Sequence, residues 1–271
     1  MKKWLKKDST LCVKNNIVCI MNGVYSMNGG ISYIYIDGSP LIDGEYYVET
    51  YKKLGKWERI GNSYNVPEFK EEKLISVFDS NTVKKAITFT DSKKTKGSRE
   101  ICFMLAFTEK SVRSTNGHIA YLSDCKDVEN KPTMIVDRRS FPSRFESVEL
   151  YETYAKVNVK EQNVAYYIPY IDMNYVNFAV LGVTRSIDKK IDISKARHDF
   201  DFLTKEAKNE EKRGKYNPYH FPLDSEHSYD VRYLDILQKA GFEDLHISKE
   251  SNNAMAFRDN EIAFIARRIN E

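Results

Sequence analysis

Short apolar runs alternate with turn sequences at the start of the chain. Between Leu11 and Tyr51, the runs LCVKNNIVCIM, GISYIYI and EYYVETY are separated by Asn-Gly, Gly-Gly and Asp-Gly pairs. Such pairs between runs rich in β-branched and aromatic residues are typical of hairpins. The pattern predicts a β-rich N-terminal segment, followed by a polar connection from Lys52 to Glu72.

A short helix followed by strands is predicted in three later parts of the chain. The first begins at an Asp79 or Ser80 N-cap and leads to strands at ICFMLAFT and SVRS. The second follows the strand TMIVD, where RRSFPSRFESVEL predicts a helix that begins or breaks near Pro142, before strands at YAKVNV, VAYYIPY and NFAVLGV. The third has a Ser228 or Asp230 cap, the helix VRYLDILQKA and a Gly241 stop, before strands at EDLHIS, AMAF and EIAFIARRI.

These elements predict an α+β fold in three parts. Residues 1–71 form a β-rich N-terminal segment of unassigned placement, residues 72–185 form one helix-and-strand domain, and residues 186–271 form a second. The second contains a charged insertion near residues 194–225. There, apolar residues recur at helical spacing but run out into NEEKRGK, which predicts a solvated face or a long loop.

Bulk composition is that of an ordered globular protein. Hydrophobic residues make up 41% and charged residues 30% of the 271 positions, with 18 Tyr and 14 Phe, so the chain can bury a core. No apolar stretch reaches the roughly 18 to 20 residues that cross a bilayer, and MKKWLKKDST has no apolar segment behind its basic start. We therefore expect a cytoplasmic protein with no membrane partner.

Metal and cofactor chemistry has little support in the sequence. Asp199 and Asp201 form an Asp-x-Asp pair, but in so charged a stretch a solvated helix face is the better interpretation. The net charge of +3 is too small to predict nucleic-acid binding by itself. The cysteines have no CxxC pair and no His at ligand spacing, so we expect reduced thiols, no zinc or other metal, and no cofactor. They are Cys12, Cys19, Cys102 and Cys125.

The C-terminal stretch YDVRYLDILQKAGFEDLHISKESNNAMAFRDNEIAFIARRINE has a helix, a short strand, a turn and a final strand. In this order it resembles the closing half-domain of the bacterial beta clamp, the DNA polymerase III beta subunit family. Ala263 to Ile269 would be the final strand, although Ala266 and Arg267 stand where the family usually has proline and methionines. The helix match consists of Tyr233, Leu234, Asp235, Ile236 and Leu237.

A second similarity lies upstream and in the same order as in the family. After a helix and two strands, Thr115, Asn116, Gly117 and His118 resemble the family's threonine–aspartate–glycine–histidine turn, with Asn in place of Asp. The stretch from TMIVD to VAYYIPY continues as the family does. The resemblance covers about residues 74–183 and 226–271, and its strength lies in the colinear order of individually weak matches.

The resemblance implies a DNA-clamp fold, in which helices line a ring and antiparallel sheets lie outside. It implies a DNA sliding clamp, a non-enzymatic processivity factor that encircles double-stranded DNA and binds DNA polymerase and the clamp loader through peptide motifs. Rings of this architecture contain six similar domains, so the short chain favours a homo-oligomeric trimer, with a compressed three-domain dimer second. The setting would be a bacterial cell or a phage-infected host.

Two sets of residues would make these contacts. Basic residues on the predicted helices would contact DNA phosphates independently of sequence; they are Lys84, Lys85, Lys93, Lys94, Lys96, Arg99, Arg138, Arg139, Arg144, Arg232 and Lys239. By resemblance, an apolar pocket would receive the anchors of partner peptides. Its walls would be Ile101, Thr115, Gly117, His118 and Ala120 on one side and Leu181, Ile265, Ala266, Arg267 and Arg268 on the other.

Two other functions stay open. A phage assembly or anti-defence binding protein requires only a stable fold and partners. An S-adenosylmethionine-dependent methyltransferase could end in LQKAGFEDLHIS followed by EIAFIARR. However, Asn28, Gly29 and Gly30 lie in a predicted hairpin with no helix behind them, so no cofactor-cradling loop is predicted.

Overall fold

The computed structural model describes residues 17–21, 24–27, 32–36, 44–47, 58–61, 69–70, 72–91, 99–160, 164–181, 187–194, 197–215, 218–223, 226–248 and 253–267. Its contacts divide the chain into two compact units. Unit 1 comprises Met1–Val83 and Met134–Met173, and unit 2 comprises Lys84–Thr133 and Asn174–Glu271. The predicted partition at residues 71 and 185 follows the order of the sequence and stays a prediction.

The described residues contain nineteen strands and three α-helices. In chain order they are β1 (Ile17–Met21), β2 (Val24–Met27), β3 (Ser32–Ile36), β4 (Gly44–Tyr47), β5 (Glu58–Gly61), β6 (Ser76–Asp79), α1 (Ser80–Thr88), β7 (Met104–Phe107), β8 (Val112–Thr115), β9 (Ile119–Leu122), β10 (Met134–Asp137), β11 (Ser147–Leu150), β12 (Tyr154–Asn158), β13 (Val164–Pro169), β14 (Lys189–Asp192), α2 (Arg197–Lys212), β15 (His220–Pro222), β16 (Ser228–Asp230), α3 (Val231–Lys239), β17 (Asp244–Ile247), β18 (Asn253–Arg258) and β19 (Glu261–Ala266).

Unit 1 contains a nine-stranded antiparallel sheet in the order β5-β4-β1-β2-β3-β13-β12-β11-β6. Because side chains alternate across a strand, one face collects Val148, Val157 and Tyr166, all of which are buried. On the other face, the ring of Phe69 stacks on that of Tyr167, with 4.6 Å between ring centroids. Side chains on both faces of the central strands are therefore packed against other residues.

Unit 2 contains antiparallel strands in the order β7-β8-β9-β19-β18-β17-β14. The last strand, β19, pairs with β9 from Ile262↔Leu122 to Ile265↔Ile119, which joins the C-terminal segment to the upstream turn region. Beneath the sheet, the ring of Phe89 stacks on Tyr121 at 5.1 Å. The two stretches that resembled one family are thus hydrogen-bonded neighbours.

Helix ends match the predicted caps. Asp79, not Ser80, caps α1, because its Oδ1 accepts hydrogen bonds from the backbone N–H groups of Asn81 at 2.8 Å and Thr82 at 3.0 Å. Asp230 caps α3 through the N–H of Arg232 at 3.0 Å. Gly241 ends the same helix region with a φ of 88°, as its position predicted.

Two predicted elements are wrong. The sequence after TMIVD forms a 3-10 turn, Arg138–Ser140, instead of an α-helix. Phe141 has φ −82° and ψ 136°, the extended backbone that a residue before proline prefers, so Pro142 prevents the turn from continuing. The predicted strand NFAVLGV forms a 3-10 turn at Phe178–Leu181, where Asn177 Oδ1 accepts the N–H of Ala179 at 3.0 Å.

Two predicted connections contain regular structure. Strand β5 lies inside the polar stretch 52–72, where it pairs with β4. Helix α2 occupies the charged insertion, because Phe200, Thr204 and Ala207 bury one side of it. The apolar spacing was therefore a better guide there than the charge density.

The cysteines of the described residues are free thiols. Cys102 is buried and Cys125 is half-buried. Burial raises the pKa of the Cys102 thiol. Cys12 and the side chain of Cys19 lie outside the described part. Across the described ranges, no helix is long and apolar enough to cross a membrane.

Candidate functional site

The turn between β8 and β9 is built by its own side chains. Asn116 Oδ1 accepts hydrogen bonds from the N–H groups of His118 and Ile119, each at 3.0 Å. Thr115 Oγ1 accepts the N–H of Gly117 at 3.0 Å and donates to the carbonyl of Ile119 at 2.9 Å. Asn116 stands where the turn that this one resembles has Asp, and its side-chain oxygen is an equivalent acceptor without charge.

Gly117 is required by its backbone conformation. Its φ of 90° lies in the region that residues with a Cβ rarely adopt. A Cβ built there would come no closer to its surroundings than 3.9 Å, to Cys102 Sγ. Crowding therefore does not select glycine at this position; the positive φ does.

The turn adjoins the C-terminal strand. The N–H of Ala266 donates to the carbonyl of His118 at 2.8 Å, and Ile119 pairs with Ile265. His118 and Arg267 are exposed, and Ala266 is half-buried. The turn and the end of β19 thus form one continuous edge of unit 2.

The predicted pocket residues fall into three classes of exposure. Thr115, Ala120 and Ile265 are buried, so they support this edge from beneath. Ile101 and Leu181 are half-buried residues of two 3-10 turns, and Gly117 is exposed. Arg268 lies outside the described residues. Whether these side chains bind a peptide stays a prediction.

An aromatic ladder, comprising Tyr219, Arg232, Tyr233 and His118, extends from this edge. The His118 and Tyr233 rings stack with centroids 5.7 Å apart and planes at 15°. Arg232 Cζ lies 3.7 Å from the Tyr219 centroid and 5.6 Å from that of Tyr233. Burial raises the pKa of Tyr233, and the Asp230 carboxylate raises it further. Tyr219 was not predicted from the sequence, because no local motif indicates it.

A buried ionic cluster supports β8 below the turn. The Arg113 and Asp127 side chains are each 1% exposed, with Arg113 Nη2 3.5 Å from Asp127 Oδ2. Asp127 Oδ2 also accepts the Ser111 hydroxyl at 2.5 Å and the Thr108 hydroxyl. Although burial alone would raise the pKa of Asp127, hydrogen bonds from Asn130, Ser111 and Thr108 lower it overall.

Arg113 connects this cluster to a pocket element. Its Cζ lies 5.7 Å from the Phe178 centroid, in the 3-10 turn that ends at Leu181. The Phe178 ring also contacts Phe264 on β19, with centroids 6.1 Å apart. One buried arginine therefore contacts the turn that carries Leu181 while its own strand leads to the His118 turn.

Four of the predicted DNA-contacting cations bind carboxylates of the same chain. Lys85 Nζ lies 2.6 Å from Glu261, which also accepts the Tyr121 hydroxyl at 2.7 Å. Lys239 Nζ lies 2.6 Å from Asp235, and this hydrogen bond raises the pKa of Lys239. The other two pairs are Arg139 with Asp137 and Arg232 with Asp230.

The other predicted cations lie at exposed, half-buried or undescribed positions. Lys84, Arg99 and Arg144 are exposed, and Arg138 is half-buried. Lys84 is the exposed cation on α1, whereas Arg138, Arg139 and Arg144 lie in a region that is not an α-helix. Lys93, Lys94 and Lys96 lie outside the described residues.

Asp201 of the Asp-x-Asp pair of α2 binds lysine side chains. Asp201 lies 2.5 Å from Lys205 Nζ and 3.4 Å from Lys239 Nζ, and the hydrogen bond from Lys205 lowers the pKa of Asp201. In the part of the chain that is described, no group of three or more His, Cys, Asp or Glu side chains is arranged to hold a metal ion.

Comparisons with known proteins connect this geometry to one architecture. No family model and no curated protein matches the chain. Among solved structures, the C. crescentus beta sliding clamp is similar with a TM-score of 0.64 at 11% identity, over 99% of this chain and 97% of that one. The DNA polymerase III subunit beta from Pseudomonas aeruginosa has a TM-score of 0.57 at 13% identity, over 99% and 97%.

A third similar structure is the DNA polymerase III beta chain from Streptococcus pneumoniae, with a TM-score of 0.57 at 10% identity, over 94% of this chain and 91% of that one. These identities are too low to transfer a function, but the agreement extends over nearly the whole length of each chain. The mixed helices and antiparallel sheets predicted as a DNA-clamp fold are confirmed, and this chain has the fold of the bacterial DNA polymerase III beta sliding clamps.

Proposed function

We propose that this chain is a DNA sliding clamp, a non-enzymatic protein that encircles duplex DNA and tethers replication proteins to it. The observation that carries the proposal is the end-to-end correspondence with sliding clamps, over 91% to 97% of each of the three clamp chains compared. A clamp works through closed topology. Weak phosphate contacts therefore suffice, because the ring leaves DNA by opening or by reaching an end.

The same correspondence bears on the number of subunits. A chain that spans nearly the whole length of a beta subunit supports a ring in which each copy replaces one whole beta subunit. We therefore favour the compressed dimer over the trimer that chain length alone predicted. Light scattering distinguishes them, since the particle mass would be two or three times the 31.5 kDa of one chain.

Partner binding is assigned to the edge formed by the His118 turn and the end of β19. The carbonyl of the exposed His118 accepts the N–H of the half-buried Ala266, and Ile101 and Leu181, the other apolar members of the predicted pocket, are half-buried. Apolar surface with a few polar groups at its border suits a short peptide with aliphatic and aromatic anchors. DNA polymerase and a clamp loader, in a bacterial or phage-infected cell, are the partners that the proposal requires.

Duplex DNA would be held through backbone phosphates without sequence recognition. Lys84, Arg99 and Arg144 are exposed members of the predicted set, as are Arg139 and Lys239, and Arg138 is half-buried. Lys85, Arg139, Arg232 and Lys239 would contribute less, because each has a carboxylate partner.

The methyltransferase alternative has no support in the described strands. Neighbouring strands in both large sheets pair antiparallel, for example β12 with β13 and β18 with β19. A cofactor cradle of the expected kind needs a strand, a glycine-rich loop and a helix that crosses to a parallel strand. A phage assembly or anti-defence protein is the alternative that a failure to stay on circular DNA would favour.

Retention on DNA tests the proposal directly. We expect the protein, once loaded or assembled, to stay on a closed circular duplex and to leave the same DNA quickly after it is cut once. A polymerase from the same system should extend farther per binding event in its presence. A monomer in solution that leaves circular and linear DNA equally fast would contradict the proposal.

The peptide site has its own test, with a control from the neighbouring position. Leu181→Glu should abolish binding of a labelled peptide with leucine and phenylalanine anchors, measured by fluorescence anisotropy. Val180→Glu places the same charge on a side chain that is 66% exposed and should leave binding unchanged. Equal effects of the two substitutions would show that the peptide does not contact Leu181.

A further inference from the structure

Helix α2 packs against the rest of unit 2 with one side. Phe200 is fully buried, and its ring meets that of Phe221 edge-on with centroids 5.2 Å apart. Thr204 and Ala207 are also buried, at 7% and 3% exposure. At about 100° per residue, the three buried helix positions lie within an arc of about 60°. The opposite side of the helix therefore faces outward.

An exposed aromatic ring lies on this outward side. Phe202 is 58% exposed, whereas every other phenylalanine of the described residues is buried or half-buried. Asn209 is also exposed, and because it follows seven residues later it lies on the same line of the helix, about two turns away. We call Phe202 and Asn209 the ridge. An aromatic side chain in such a position is typical of surfaces that bind another protein.

Opposite charges lie on the two flanks of the ridge. The helical angles place three lysines on one flank, within an arc of about 60°, and three acidic residues on the other, within about 40°. All of them are exposed except Glu210, which is half-buried. The basic flank consists of Lys205, Lys208 and Lys212, and the acidic flank consists of Asp199, Glu206 and Glu210.

Two residues depart from this separation of charges. Asp201 lies on the basic flank, where it is 2.5 Å from Lys205 and 3.4 Å from Lys239. Arg213, just after the helix, lies between the ridge and the acidic flank. Opposite charges therefore border the ridge most clearly in the middle of α2, at Lys205 and Glu206. Lys205 is still 69% exposed, so it can approach a carboxylate of another molecule.

The arrangement of the flanks determines how two copies of α2 can meet. A twofold axis parallel to the helices places them side by side in the same direction, with the basic flank of each copy against the acidic flank of the other. Each ridge residue then meets its own counterpart, Phe202 against Phe202 and Asn209 against Asn209. An antiparallel pair would instead bring lysine flank to lysine flank, which is repulsive. The surface is self-complementary only in the parallel arrangement.

Other partners suit this surface less well. A nucleic acid would meet the acidic flank, which repels phosphates, and the apolar ring of Phe202. A membrane would need a broad apolar side, but the apolar side of α2 is already buried in unit 2. A second copy supplies an apolar ring for the ring and an opposite charge for each flank.

We infer that the outward side of α2 is a self-association surface, on which a second copy of this chain binds through a parallel pair of α2 helices. One helix against another buries less than the roughly 1,200 Å² of stable complexes, so the dissociation constant should be on the order of 100 µM. The inference does not rest on the proposed function. In a clamp ring with its helices around the hole, a bound duplex would keep two α2 helices apart, so this contact would belong to protein that is not on DNA.

Site-specific cross-linking tests the geometry. On the parallel twofold axis, the cysteine of an Asn209→Cys variant faces its own counterpart at a distance that a disulfide can span. Under mild oxidation we expect at least about fivefold more linked dimer than from the native chain, whose four cysteines give the background. The control is Lys208→Cys, which is equally exposed but lies on the basic flank. Equal yields from the two variants would overturn the parallel pair.

A charge exchange tests the complementarity of the flanks. Lys205→Glu makes both borders of the ridge acidic, and Glu206→Lys makes both basic. In sedimentation velocity at about 100 µM, each variant alone should associate at least about tenfold more weakly than the native chain. An equimolar mixture should regain the association, because each flank again meets its opposite. A mixture that associates no better than either variant alone would overturn the inference.

The ring of Phe202 and the clamp proposal are tested separately. Phe202→Ser should weaken the association about tenfold or more, and an unchanged association would overturn the role of the ridge. Protein that cross-links through Asn209→Cys but leaves circular and linear DNA equally fast would retain this inference and overturn the clamp. Retention on circles without that cross-link would retain the clamp and overturn the inference.

Discussion

The same Asp-x-Arg sequence occurs at the end of a strand in each unit, with two different outcomes. Asp137 ends β10 in unit 1 and binds Arg139, and Asp230 ends β16 in unit 2 and binds Arg232. In both, the carboxylate accepts the N–H of the arginine two residues later, at 2.8 Å and 3.0 Å. Each arginine side chain is 39% exposed. The local geometry is thus shared.

The chain takes a different course after each of the two pairs. After Arg139 it leaves the 3-10 turn at Phe141, since Pro142 excludes helix, whereas after Arg232 it continues as the helix α3. Arg232 also lies against the Tyr219 ring at 3.7 Å. The short motif therefore determines the cap and the ion pair. Residues outside the motif determine whether the arginine also stacks on aromatic rings.

Among these ion pairs, the buried pair of Arg113 and Asp127 should give the largest loss of stability when its carboxylate is replaced. Asp127→Asn leaves the arginine charge without its partner at 1% exposure, so we expect a loss of about 3 to 5 kcal/mol in the free energy of unfolding by urea titration. Asp124→Asn, at a half-buried carboxylate that caps a 3-10 turn, should cost less than about 1 kcal/mol. Similar losses would mean that burial does not distinguish these carboxylates.

Low pH should also weaken the buried pair of Arg113 and Asp127 and so lower the stability of the protein. The folded-state pKa of Asp127 lies below the ordinary value of 3.8, so the stabilisation is complete above that value and is lost as the pH falls through the lower folded pKa. Urea titrations from neutral pH to about pH 3 should show decreasing stability below about pH 4. The Asp127→Asn variant should show a weaker decrease; an equal one would assign the acid sensitivity to other carboxylates.

Removing the carboxylate from each Asp-x-Arg motif separates the cap from the ion pair. Asp230→Ala and Asp137→Ala both lose a buried carboxylate, but only the first also removes the N-cap of an α-helix. We expect Asp230→Ala to lower the free energy of unfolding by about 1 kcal/mol more than Asp137→Ala. Equal losses in chemical denaturation would indicate that helix capping adds nothing to the pair.

The smallest expected loss of stability comes from removing the contact between Arg232 and the aromatic rings of Tyr219 and Tyr233. Lysine retains the charge but not the planar fork, so Arg232→Lys should cost about 0.5 to 1 kcal/mol more than Arg139→Lys, because the aromatic ladder loses a member. The His118 ring signals in an NMR spectrum should shift only in the Arg232 variant. Unchanged His118 signals would show that Tyr233 holds its position without the arginine.

The elements that were correct from sequence are those with local causes. Asp79 and Asp230 as caps, Gly241 as a stop and the strands on both sides of Gly117 all depend on neighbouring residues. The sequence also predicted the clamp fold, because its matches kept their order along the chain. The pairing of β9 with β19 then explains why two separated stretches carried one resemblance.

The errors arose where a local tendency competed with packing or with a side-chain hydrogen bond. The charge density of residues 194–225 led to the prediction of a solvated face or a long loop instead of α2, although the buried Phe200 and Ala207 have helical spacing. Lys85 was counted as a free cation because its partner, Glu261, is 176 residues away in the sequence. Ion pairs between distant residues require the fold to be known, so the candidate phosphate contacts were the least predictable part of the site.

The Asn116-Gly117 pair has a consequence for the chemical ageing of the protein. Asparagine followed by glycine loses its amide when the glycine nitrogen attacks the side-chain carbon. Here the Gly117 N–H donates to Thr115 Oγ1, and Asn116 Oδ1 is held by two other N–H groups. Deamidation would require this turn to open, so its rate should report how often the turn opens. The aspartate product could still accept both hydrogen bonds, while placing a negative charge beside His118.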